Sequence, residues 1–216
     1  MSTNETSPPA HRTLRQVAGV CGLLCVIIAS SSVALAIFYS PGNFSFTQNW
    51  LSDLGGTSYA GFNAASRDIV SSPTTELIFN SGLVVGGVFT VIFSFGLLSD
   101  AHSRAFRRGA VCMIIGAVWF IAIGLVPEPL GIMHDIVTIL CAIFCAAAAC
   151  LCGGSLIASS EKPLGFFSIA LGIIALIGIS LYLYFRATAE MVFVTAISLW
   201  IVIFSIRMLR RGLQQK

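Results

Sequence analysis

"VAGVCGLLCVIIASSSVALAIFY", residues 17–39, is a run of 23 residues without one charged side chain. A cleaved secretory signal carries an apolar core of about 7–15 residues, whereas a helix needs about 20 to cross about 30 Å of hydrocarbon. The run exceeds the first length and meets the second. Although "VALA" has the small residues of a cleavage site, the bulky "IFYSPG" that follows suits a helix end, so the stretch reads as a first transmembrane helix.

Five further stretches meet or approach the same length: residues 77–99, 109–126, 132–159, 164–185 and 187–206. The fold class expected is an all-α integral membrane protein with six transmembrane helices. Composition agrees, with 56% hydrophobic and 10% charged residues in a chain of 216 and a mean hydropathy of +0.92. Soluble domains hold only about 45–50% apolar residues. A net charge of +3 spread over a chain of this kind leaves no basic surface for nucleic acid, and the partners expected are membrane lipids.

Placement of Lys and Arg sets the threading. With the N-terminus cytoplasmic, the inner segments hold Arg12, Arg15, Arg104, Arg107, Arg108, Lys162, Arg207, Arg210, Arg211 and Lys216, and the outer segments hold Arg67 and Arg186. That asymmetry predicts a cell-membrane protein with both termini cytoplasmic. Residues 1–16 then form a disordered tail, 17–206 the six-helix domain and 207–216 a basic tail. The acids lean the other way, with Asp53, Asp68, Glu76, Glu128, Asp135 and Glu190 outside.

Connections between helices 3 and 4, 4 and 5, and 5 and 6 are short, as in an up-down bundle. The exception is the outer segment 40–76, read as a lid. Phe44, Phe46, Trp50, Leu51 and Leu54 recur there at roughly helical spacing beside Asn49 and Asp53. This predicts a short helix, either lying on the membrane surface or folded back over the bundle mouth.

"LVPEPLGIMHD", residues 125–135, is the second stretch with chemistry in it. Pro127 and Pro129 end helix 3 and place Glu128 in the turn, with His134 and Asp135 opening helix 4. Acids in such a position complement the helix dipole. Ionisable groups at membrane depth also tend to face the bundle interior and mark a site. On the second reading Asp53, Glu128, His134 and Asp135 converge as the catalytic candidates: a carboxylate orients the imidazole as general base, or one His and two or three carboxylates hold a divalent cation that activates water. No metal or cofactor is singled out by a motif. Ser52, Asn49, Asn80 and Arg67 are the binding candidates, with Ser52 equally suited to a helix cap and Asn80 to tying helix 2 to a neighbour.

Other features have plainer readings. Cys21, Cys25, Cys112, Cys141, Cys145, Cys150 and Cys152 all fall within spans, where thiols act as small apolar groups. Gly82 and Gly86, Gly109 and Gly116, and the stripe Cys141, Cys145, Ala149 and Gly153 allow close helix packing, within the chain or in a homo-oligomer. "NFS" at Asn43 matches a glycosylation acceptor on the outer side.

"NWLSDLGG" at 49–56, "SPTTELIFNSGLVVGG" at 72–87 and "AIGLVPEPLGIMHD" at 122–135 together resemble the DUF998 family of small multi-pass membrane proteins. The resemblance implies the same fold and placement, and it singles out Ser52, Asp53, Gly55, Asn80, Glu128 and His134. The family's function is unknown. The function expected from the residues is an outward-facing polar pocket that binds or processes a lipid-like or small polar molecule, as in a membrane-embedded hydrolase or transferase. A small-molecule transporter or channel and a structural or assembly subunit are the alternatives.

Overall fold

A computed structural model of the chain describes residues 9–56, 69–181 and 186–214. It contains six long helices: α1 (Pro9–Phe38), α2 (Pro73–Ser99), α3 (Arg104–Leu125), α4 (Ile132–Ile157), α5 (Lys162–Ser180) and α6 (Arg186–Gln214). All six are long and apolar enough to cross a bilayer, as in a multi-pass membrane protein. No strand occurs among the described residues.

Local chemistry sets the helix starts. Ser72 caps α2 by accepting from the Thr75 amide while the Thr75 hydroxyl accepts from the Ser72 amide, and Pro73 follows at the first helical position. Ser103 caps α3 through the Phe106 amide. Between α3 and α4 the prolines force a short 3-10 turn, Glu128–Leu130, and Gly131, at φ 58, turns the chain into α4.

Each helix packs on its neighbours in the chain, and α6 closes back on α1, so the six form a ring. Glycines set the close approaches: a Cβ on Gly116 would strike Cys145, and one on Gly153 would strike the Gly165 carbonyl. The small-residue faces are thus occupied inside the chain. Aromatic packing fills the centre, where Trp200 stacks on Phe204 at 4.2 Å and meets Phe93 edge-on at 6.2 Å. The indole Nε1 donates to Ser168 Oγ at 2.6 Å, which in turn donates to the Ala149 carbonyl at 2.7 Å. One polar relay therefore ties α6, α5 and α4 with no donor left over.

The start of α1, the end of α6 and the connections α2–α3 and α4–α5 lie at one end, called here the terminal end. The end of α1, the start of α2, the α3–α4 connection, the end of α5 and the start of α6 lie at the other, the loop end. Helices run further than expected toward the terminal end, α1 and α6 most of all. α1 begins at Pro9 and not at Val17, and α6 continues past Ile206 to Gln214. For α6 the reason is pairing: Arg207 and Arg211, read as part of a basic tail, are held by Asp100 and Glu161.

The short helix expected near residue 50 is not seen as an α-helix. Residues 44–54 form no α-helix; a single 3-10 turn, Ser52–Gly55, stands in its place with all four residues buried. Side chains compete with the helical ladder here: Asn49 Oδ1 accepts from the Ser45 amide at 3.0 Å, and Asp53 Oδ2 accepts from the Trp50 amide at 2.9 Å.

Candidate functional site

The Ser52–Gly55 turn is held from three directions. Asp53 folds back within the turn, its Oδ2 also accepting from Asn49 Nδ2 at 3.3 Å. From α6, Glu190 accepts the Leu51 amide at 2.7 Å and a further hydrogen bond from the Ser52 amide. Three consecutive amides that open the turn, those of Trp50, Leu51 and Ser52, are thereby met by two carboxylates. Amides that begin a helical turn have no partner within it and carry partial positive charge, so carboxylates suit that position. From α2, Asn80 Nδ2 donates to the Gly55 carbonyl at 2.9 Å. Backbone contact is close enough that a Cβ on Gly55 would collide with Asn80 Oδ1 and Phe79.

The same turn packs against the Glu128–Leu130 turn, and a Cβ on Gly56 would strike Pro129. Glu128 is buried there. His134, in the first turn of α4 and 3% exposed, reaches back to this corner through Nδ1, 2.7 Å from the Val126 carbonyl. A carbonyl only accepts, so Nδ1 carries the hydrogen; in the neutral ring Nε2 is then the basic nitrogen. The ring nitrogen that a carboxylate was expected to orient is held by backbone. Asp135, the next residue, is half-buried, about 100° around the helix from His134.

The candidates therefore divide. The loop end gathers Asn49, Ser52, Asp53, Asn80 and Glu128 around two packed turns, with His134 pinned to the same corner and Asp135 to one side. Among the described residues no three of His, Cys, Asp and Glu come close enough to hold a metal ion, so the metal-activated water has no ligand set there. Arg67 lies outside the described residues. Glu190 was counted only as an outer acid. What its sequence position could have signalled is modest: it is a lone acid in the first turns of an otherwise apolar helix, 139 residues from its amide partner Leu51.

Beneath the turn lies a cavity of about 530 Å³, within the size range of small-molecule sites of about 300–1,000 Å³. Ser52 and Glu190 line its loop end, and Met113, Cys145 and Ile201 its depth. Thr138 of α4 also faces it, 7% exposed, with Oγ1 buried and lacking a hydrogen-bond partner.

The terminal end holds a second polar cluster. Arg207 donates through Nη1 to Asp100 Oδ2 at 2.5 Å, and through Nε and Nη2 to the two Glu161 oxygens at 2.8 and 3.0 Å. Arg15 and Arg211 add contacts to Asp100, both at 3.1 Å. The Arg207 hydrogen bonds hold the Glu161 carboxyl below its ordinary range, outweighing the upward push of burial.

Neither a curated protein nor a solved structure matches the chain. The family model for DUF998, described as a protein of unknown function, matches residues 20–207, and the chain belongs to that family.

Proposed function

We propose that this is a multi-pass protein of the cell membrane, with the termini cytoplasmic and the loop end facing outward, whose loop-end polar cluster binds and processes a lipid-like or small polar molecule at the outer interface. The single observation that carries the reading is the inward-folded Ser52–Gly55 turn, which closes the cavity with Asp53, Glu190 and Asn80 as its fastenings. Irregular backbone at this depth is tolerated where it lines a cavity.

In this reading His134 is the general base, acting through Nε2, with Asp53, Glu128 and Asp135 as the carboxylates grouped at the same loop end. Ser52, Asn49, Asn80 and Arg67 bind the polar part of the substrate. The reaction class is hydrolysis or group transfer. Orientation follows from the ten basic residues of the terminal-end segments against two in the loop-end segments.

Orientation is checked with fusions to the full chain. A periplasm-active phosphatase joined after Lys216 is expected to be inactive and a fluorescent protein there bright; the reverse result overturns the topology. Function is checked in cells lacking the native protein. His134→Ala is expected to lower the rate of the process the protein supports by about 10²–10⁴-fold, the usual worth of a positioned base, with Asp53→Ala also impaired. Full rescue by both variants at normal membrane abundance would sink the catalytic reading.

A further inference from the structure

We propose that the cavity takes a hydrocarbon chain of a lipid with an uncharged or cationic polar end, admitted sideways from the bilayer between α1 and α6. This deepens the function proposed above and rests on it for the identity of the loop end.

Cavity dimensions point to a chain. Along α6 the lining runs from Glu190 to Val202, about 18 Å at about 1.5 Å per residue. One leaflet of hydrocarbon is about 15 Å deep, half of the about 30 Å core. A cavity of 530 Å³ extended over that length is elongated and a few carbon–carbon contact distances of about 3.5–4.0 Å wide, a shape that suits an extended hydrocarbon chain.

The walls say where the chain enters. Among the lining residues, Ser30 of α1 and Val194, Thr195 and Leu199 of α6 are exposed. Nearer the termini the same two helices are pressed together, with Gly19 and Gly22 against Ser205 and Leu209, and Gly212 against Gln16. The seam is thus closed in its terminal half and open in its loop half, on the face that six apolar helices present to lipid.

Two polar features choose the ligand within that class. Thr138 places an unpartnered hydroxyl in the cavity wall. A buried hydroxyl without a partner is costly, and a trapped water would need two to four polar neighbours, whereas a hydroxyl or ester group near the head of a bound chain satisfies it directly. Among the described residues the loop-end segments carry five acids, Asp53, Glu76, Glu128, Asp135 and Glu190, against Arg186. Five minus one leaves four excess formal negative charges, which disfavour an anionic head.

The test uses the full chain in phosphatidylcholine vesicles with two photoreactive probes of equal chain length, a monoacylglycerol and a fatty acid, each with a diazirine at mid-chain. Cys141 and Cys145 are 2% and 4% exposed and line the cavity, whereas Ile143 between them is 44% exposed, so α4 label located by fragmentation at the two cysteines comes from inside the cavity and label at Ile143 comes from lipid. The monoacylglycerol is expected to label α4 at Cys141 and Cys145, and Ala29→Phe and Ser198→Phe, which fill the cavity from two different helices, each to reduce that label at least tenfold. Label confined to exposed positions outside the cavity such as Val118 and Ile177, or unchanged in both filled variants, overturns the chain site. Equal α4 labelling by the fatty acid overturns the head-group assignment. Retained α4 label in Asp53→Ala and His134→Ala supports the chain site whatever becomes of the reaction. Absence of α4 label in the unaltered protein overturns the chain site alone and leaves those two residues' roles to the cell assay.

Discussion

Arg207→Met is expected to destabilise the folded protein by about 3–5 kcal/mol, the usual cost of removing one partner from a buried ion pair. Arg207 is 7% exposed, and its guanidinium bridges Asp100 and Glu161 and lies 5.7 and 5.9 Å from the ring centres of Phe106 and Phe204. Methionine fills much of the same volume, so the loss measures charge and hydrogen bonding more than a cavity. In detergent solution the thermal midpoint should fall by about 6–20 °C, at about 2–4 °C per kcal/mol for a chain of this size. Arg210→Met is the control: Arg210 is exposed, and its loss should stay within about 0.5 kcal/mol. Equal shifts in the two variants would remove the network from the account of stability. The acid side adds an independent check. Because the folded Glu161 carboxyl titrates below its ordinary value of 4.5, its contribution is present above that pH and disappears as pH falls through the lower folded value. Arg207→Met should therefore flatten the loss of stability below about pH 4.5.

How much of this was legible in the sequence depends on the distance over which each interaction acts. Six spans could be read because burial in lipid is a property of a window of residues, and the windows around Val17 and Ile132 carry it without help from neighbours. The α3–α4 corner was legible for a similar local reason, since Pro127, Pro129 and Gly131 dictate their own backbone. The Ser52–Gly55 turn was half-legible: Leu51 and Leu54 are buried as apolar residues in a lid should be, but helical spacing could not reveal that Asn49 and Asp53 would spend their side chains on nearby amides. Pairings across the ring were not legible. Arg207 and Asp100 are 107 residues apart, and counting Arg207 toward topology hid its second use. A closer look at α6 could have found it: Arg207 and Arg211 follow Trp200 and Phe204 at intervals of three and four, on the stripe that faces inward. Arginines on an apolar face imply acids opposite them.

Asp53→Ala and Glu190→Ala are expected to loosen the lid turn at different amides, and that difference decides how Asp53 is to be understood. Hydrogen bonds to charged groups contribute about 1.5–3 kcal/mol each, so each loss should speed exchange of the affected amide by about ten- to a hundredfold, at 1.4 kcal/mol per tenfold. Exchange should quicken first at Trp50 in Asp53→Ala, because Asp53 Oδ2 accepts that amide, and at Leu51 in Glu190→Ala. The double variant should fall short of or exceed the sum of the two, since both carboxylates hold one continuous turn. Asn80→Leu, which removes the grip on the Gly55 carbonyl, should release the opposite side of the turn. Unchanged exchange at residues 50–52 in all three variants would mean that packing of Leu51 and Leu54 closes the cavity without the polar fastenings. Asp53→Asn separates fastening from chemistry. Its amide oxygen can still accept from Trp50, so the turn should remain protected while the negative charge is gone. Loss of cellular function in that variant, with exchange at Trp50 unchanged, assigns Asp53 a role toward the substrate; function retained in Asp53→Asn and lost in Asp53→Ala assigns it to holding the lid.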